Sequence, residues 1–281
     1  MQRREFVAAA AMAVSTVSAQ TPTARKGRLK QCVTRGVFAR EMPFEETCRI
    51  AASLGCKGYD LVEPRDWPTL KKYGLLSTMY PAGPGGTISD ALNRKENHDR
   101  QEKSIREAID LSAANGCPNV ITFSGNRRGM ADAEGADNCV TFLTRVKAHA
   151  EDKGVTICME LLNSKVNHKD YMCDHTAWGA DVMKRVNSPR VKLLYDIYHL
   201  QIMEGDIVRT IRDNIQWIAH FHTGGNPGRH EIDDTQELNY RFVAKAIADL
   251  GFSGYVAHEY SPAAGRDPVK SLDQALEVFD V

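Results

Sequence analysis

Short apolar runs alternate with longer amphipathic segments eight times between Leu29 and the C-terminus, and this alternation restricts the fold more than any other feature. The runs cover 29–33, 58–63, 75–80, 119–123, 155–159, 191–195, 215–219 and 254–257. They are brief and bounded by polar, Gly or Pro residues, as expected of parallel strands covered on both faces. Helical patterns follow at 43–54, 66–73, 93–114, 139–150, 178–186, 207–213 and 268–279. Pro43 suits the first turn of the first helix, and Asn115-Gly116-Cys117-Pro118 stops the third. Eight strand-helix units in about 250 residues are what a (β/α)8 TIM barrel requires. Residues 29–281 are therefore expected to form one such domain. A doubly wound open sheet is the alternative, but no Gly-x-Gly-x-x-Gly turn or Walker loop supports it.

Composition narrows the partners. Lys plus Arg and Asp plus Glu each total 36, so no global basic field draws the chain to nucleic acid or anionic lipid. A small-molecule substrate fits better, and a homo-oligomer is left open. The seven cysteines include no Cys-x-x-Cys pair, which argues against a disulfide framework and for small buried hydrophobes. Residues 1–28 stand apart: Arg3-Arg4 is followed by an Ala-rich, weakly apolar run and then Val17-Ser18-Ala19. This resembles a twin-arginine export signal, with cleavage after Ala19 and a periplasmic destination, and it is too short for a membrane span. The alternative is a frayed terminus on a cytoplasmic protein, with 21–28 a loose linker in either case.

Chemistry-bearing residues collect where the last four strands end. Glu160 follows the fifth, Asp196 the sixth, His222 the seventh and Glu259 the eighth, and a barrel brings its strand ends together on one face. Three carboxylates and one imidazole suit Mn²⁺, Mg²⁺ or Co²⁺, and the lack of cysteine ligands argues against structural zinc. Singly, each could cap a loop or start a turn. Four at equivalent positions point to a metal site, because unpaired buried carboxylates are costly. Arg229 carries a fork that could bind two substrate oxygens, or it could be a solvated loop residue. His199, three residues after Asp196, could contact substrate or orient a ligand. Asn163, His168, Asp174 and His175 could shape the pocket, whereas His230 and Glu231 could form a surface pair.

The segments Met159-Glu160-Leu161-Leu162-Asn163, Asp196-Ile197-Tyr198-His199, His220-Phe221-His222, Gly228-Arg229-His230-Glu231 and Ala257-His258-Glu259-Tyr260 together resemble one family. It is the sugar isomerase and epimerase group of xylose-isomerase-like barrels, and within it the hydroxypyruvate isomerases. The resemblance implies that Glu160, Asp196, His222 and Glu259 hold one divalent ion. It implies that Glu160 and Glu259 are catalytic, exchanging protons with a hydroxycarbonyl substrate through an enediolate. It also implies that His199 and Arg229 touch substrate oxygens. One departure bears on the substrate: hydroxypyruvate isomerases usually carry Gln at the position of His222, whereas ketose 3-epimerases of the group carry His. The endonuclease IV branch of the fold uses a His-rich three-metal cluster, and its early histidines are missing, since His98 is the only histidine before His149. A barrel that binds sugar without turnover is the non-enzymatic alternative.

Overall fold

Eight parallel strands form a nearly closed barrel in the computed structural model, which describes residues 23–81 and 86–281. They are β1 (Lys30–Val33), β2 (Gly58–Asp60), β3 (Leu76–Met79), β4 (Asn119–Thr122), β5 (Thr156–Leu161), β6 (Val191–Asp196), β7 (Ile218–Thr223) and β8 (Tyr255–His258). The ladder runs β3-β2-β1-β8-β7-β6-β5-β4. Its open seam, between β3 and β4, is bridged at Tyr80 and Val120, where Tyr80 N–H donates to Asn119 O at 2.8 Å. The expected (β/α)8 architecture is thus observed.

Helices surround the barrel because each turns an apolar stripe toward the sheet. Phe142, Leu143 and Val146 of the helix Asp132–Lys153 are fully buried, as are Leu272 and Leu276 of Pro268–Val278. Burying each such side chain contributes about 1.5–3 kcal/mol. The helices His98–Asn115 and Asp132–Lys153 end on Gly116 and Gly154, at φ 75° and 68°, a left-handed cap that costs glycine nothing. All seven cysteines are buried and free.

Several boundaries differ from the sequence reading. Residues 215–217 form a 3-10 turn that completes the helix Ile207–Asn214, so β7 begins at Ile218 and both His220 and His222 lie within it. Glu160 likewise lies inside β5. Two helices, Ile197–Met203 and Tyr240–Asp249, had no counterpart in the apolar pattern. Residues 23–28, read as a loose linker, are fastened to the barrel: Thr23 N–H donates to Ser53 O, Arg25 pairs with Asp273 and Arg28 with Asp249. The twin-arginine segment and most of the 81–86 Gly/Pro loop lie outside the described residues. Among the described residues no helix is long and apolar enough to cross a membrane.

Candidate active site

Strand alternation turns Glu160, Asp196 and His222 toward the barrel axis. In the ladder Asp196 pairs directly with His222, and Glu160 with Leu194, two residues before Asp196, so all three side chains share one face of the sheet. Glu259, one residue past β8, is held there by its N–H donating to Thr223 O at 2.9 Å. One ligand atom from each of Glu160, Asp196, His222 and Glu259 lies within 4.8 Å of all the others. The four groups read from the sequence are therefore brought together.

His222 is the centre of the cluster. Its Nδ1 lies 2.6 Å from Glu259 Oε2, 3.3 Å from Glu160 Oε1 and 4.0 Å from Asp196 Oδ2. None of these contacts has hydrogen-bond geometry, so Nδ1 is a buried nitrogen with no partner. The opposite nitrogen, Nε2, meets Asp60 Oδ2 at 2.8 Å. Deprotonated at Nδ1 and held through Nε2, the ring would turn a lone pair into a ring of carboxylate oxygens. That donor set, one imidazole nitrogen and three carboxylates, fits a divalent cation such as Mn²⁺, Mg²⁺ or Co²⁺.

The two glutamates have different electrostatic surroundings. Burial pushes the Glu160 carboxyl up to about 7, helped by Glu259 and Asp196 and opposed by His222. Burial also acts to raise Glu259, but the positive His222 and Arg229 beside it outweigh that and hold it below its usual value. Glu259 also keeps a quarter of its side chain exposed, 25% against 7% for Glu160. Around His222 the carboxylates overcome the burial that would discharge the ring, and its pKa is raised well above the usual value.

His199 is buried, and burial followed by the Arg229 charge keeps its ring neutral. Nδ1 accepts the Asn163 backbone N–H at 3.1 Å, so Nε2 carries the proton. That N–H points into the site, 3.7 Å from Asp196 Oδ2, without a hydrogen-bond partner. His168 and Tyr198 flank the ring at 5.2 and 5.1 Å between centroids. Arg229 is not a solvated loop residue. Its Nη2 donates to Asp196 Oδ2 at 2.6 Å and to Glu259 Oε2 at 2.7 Å, and its guanidinium lies over the Tyr198 ring at 5.3 Å. A cavity of about 330 Å³ opens beside Arg229 and Glu259, lined also by Thr34, Arg35 and Tyr260.

Other polar residues divide. Asp174 is tied to Arg127 and His175, and so braces the loop after β5. Glu231 corrects the expected surface pair: it is buried, accepting Ser271 Oγ–H and the Ala263 N–H, while His230 stays exposed and meets Ser261 O. Asp60 went unremarked in the sequence. Its only local signal is a carboxylate closing a strand whose other residues are buried.

Fold and cluster define a class: a (β/α)8 barrel whose ionisable groups gather at the carboxyl ends of neighbouring strands, where barrels of this kind carry their active sites. More particularly, the chain belongs to the xylose isomerase-like TIM barrel family, whose sequence model matches residues 48–280. It is similar to a human protein named "Putative hydroxypyruvate isomerase", with 25% identity over 246 residues, covering 81% of this chain and 88% of the relative. It is also similar to a 2-oxo-tetronate isomerase of Pectobacterium atrosepticum, with 25% identity covering 79% of this chain and 88% of the relative. Among solved structures, a family 2 AP endonuclease from Brucella melitensis superposes with a TM-score of 0.74 at 26% identity, covering 87% of this chain and 96% of that one.

Proposed function

We propose that this chain is a divalent-metal-dependent isomerase that moves a proton beside the carbonyl of a small hydroxy-oxo acid, in the manner of a hydroxypyruvate isomerase. The observation that carries the reading is the cluster itself: Glu160, Asp196, His222 and Glu259 each turn a ligand atom to one point, within 4.8 Å of one another, and the buried His222 Nδ1 has no hydrogen-bond partner. Glu160, Asp196, His222 and Glu259 would hold the ion, Mn²⁺ or Mg²⁺ with Co²⁺ also suited. When bound, the ion supplies a Lewis acid for a carbonyl oxygen. Glu160 and Glu259 would exchange protons with the substrate carbon, one taking a proton and the other returning one. The His199 Nε2–H donates to a substrate oxygen, and Arg229, whose Nε and Nη2 already serve Glu259 and Asp196, keeps Nη1 for the substrate carboxylate. The cavity of about 330 Å³ beside Glu259 and Arg229 has room for a small metabolite, although Glu160, Asp196, His199 and His222 do not line it.

The relatives named as isomerases of hydroxypyruvate and 2-oxo-tetronate support this substrate class. A nuclease reading is disfavoured by the single imidazole in the cluster and by the zero net charge. His222 favours one second reading, a ketose 3-epimerase, because that branch carries His at this position. The discriminating experiment incubates Mn²⁺-loaded protein in deuterated solvent with hydroxypyruvate or with a ketohexose, and follows carbon-bound deuterium. Label in hydroxypyruvate supports the proposal; label only in the ketohexose selects the epimerase, and none in either points to a binding barrel. The export reading of residues 1–28 is a separate proposal. Replacing Arg3 and Arg4 with Lys should retain the protein in the cytoplasm, and unchanged export would refute it.

A further inference from the structure

Beneath the metal-type cluster lies a second polar layer whose arrangement is more specific than packing requires. Asp60, on β2, is buried at the barrel axis. One of its oxygens, Oδ2, receives both His222 Nε2 at 2.8 Å and His220 Nε2 at 3.0 Å. The other, Oδ1, accepts the Thr78 hydroxyl. With both oxygens engaged, the carboxylate cannot rotate away from the two rings. These lie edge to face at 5.3 Å, so each limits the tilt of the other. His220 sits two residues before His222 on β7, one layer deeper, and belongs to a different cluster, with Asp60 and Cys32.

We propose that Asp60 is the positioning residue of the metal centre: by accepting the Nε2–H of His222 it fixes the tautomer and ring angle that present Nδ1 to the ion. The inference rests on the proposed metal reading. A histidine whose ring is free to turn can offer either nitrogen, whereas a buried carboxylate on Nε2 leaves only Nδ1 available and makes it a better donor. His220 has another part, bracing the His222 ring and sharing the carboxylate, and it does not face the cluster. Such second-layer partners are typically worth about 10- to 100-fold in metal affinity. A purely structural Asp60, present to satisfy two buried imidazoles, would instead show in thermal stability alone.

The test is a Mn²⁺ titration of the full chain, followed by the electron paramagnetic resonance of the free ion, alongside thermal melting. Asp60→Ala should raise the Mn²⁺ Kd by about 10- to 100-fold. Asp60→Asn keeps an acceptor oxygen but loses the charge, so it should raise Kd less, and it serves as the comparison if the alanine variant does not fold. His220→Gln removes the bracing ring but leaves the Asp60 contact to His222, so it should raise Kd less than Asp60→Ala does. In the Mg²⁺-loaded protein, long-range ¹⁵N–¹H spectra should show His222 protonated at Nε2. A folded Asp60 variant with lowered Tm and unchanged Kd would overturn the inference, and so would a His220→Gln variant that loses as much affinity as Asp60→Ala. Failure of the native protein to bind Mn²⁺ would overturn the metal reading itself, and this inference with it, and would be visible before any variant is made.

Discussion

The barrel is built from two unequal halves. Strands β5, β6 and β7 have six residues each, and β5 pairs with β6 over five registered positions. Strands β1 to β4 have three or four, β1 meets β2 over two positions, and β3 meets β4 only at the Tyr80 bridge. Three of the four ligand-type groups lie on β5, β6 and β7, and the fourth, Glu259, follows the four-residue β8 that pairs with β7 over four positions. The sparse half contributes Asp60 from beneath. The proposed chemistry, which demands tight geometry, would sit mainly on the strands whose ladders are longest.

The two halves should differ in what substitution costs them. Glu160→Gln or Glu259→Gln removes a proposed proton carrier with little change of shape. Steady-state kinetics should show kcat reduced by at least about 100-fold, while Mn²⁺ binding weakens modestly. A near-native kcat would remove the glutamate pair from the mechanism.

Arg229→Ala should act on binding. Loss of one hydrogen bond between charged groups is worth about 1.5–3 kcal/mol, so KM should rise about tenfold or more with kcat largely kept. Because Arg229 also neutralises Asp196 and Glu259, the variant should gain more in Tm from added Mn²⁺ than the native protein. A fall in kcat without a change in KM would place Arg229 in the chemical step.

The seam between the halves carries the pH dependence. His258 is fully buried between β8 and β1, bonded to Thr223 Oγ1 and Gln31 Oε1, and burial pushes its pKa down to about 3. The unfolded chain takes up this proton near pH ~6.5, whereas the folded one resists until about 3. Stability therefore falls as pH drops through that window. His258→Gln should flatten the decline of Tm between about pH 6 and 5, and an equally steep decline would assign it to other groups.

The smallest effect belongs to the sparse half. Asn119 Nδ2 donates to Thr78 O across the open seam at 2.9 Å. Asn119→Ala should cost about 1 kcal/mol in denaturant unfolding and leave kcat unchanged. A large loss of activity would show that the site depends on both halves alike.

Much of this contrast was legible in the residues. Eight apolar runs marked the strands, and Glu160, Asp196, His222 and Glu259 marked the functional half because each ends or nearly ends a run. Local pattern failed where a helix follows a strand without a break, as at Ile197–Met203, whose N-cap is Asp196 itself. It failed again at Tyr240–Asp249, which starts on an Asn239 side-chain cap to Phe242 N–H. Asp60 could not be found this way, since its partner His222 lies 162 residues along the chain. The Arg229 pairing and the fastening of residues 23–28 depend equally on distant partners.

The cluster of Glu160, Asp196, His222 and Glu259 is proposed to hold one divalent ion, and metal stoichiometry measures this directly. Dialysed protein titrated with Mn²⁺ should bind one ion per chain, and His222→Ala and Asp196→Asn should each abolish or severely weaken that binding. No binding by the native chain, or three zinc ions per chain indifferent to His222, would contradict the account.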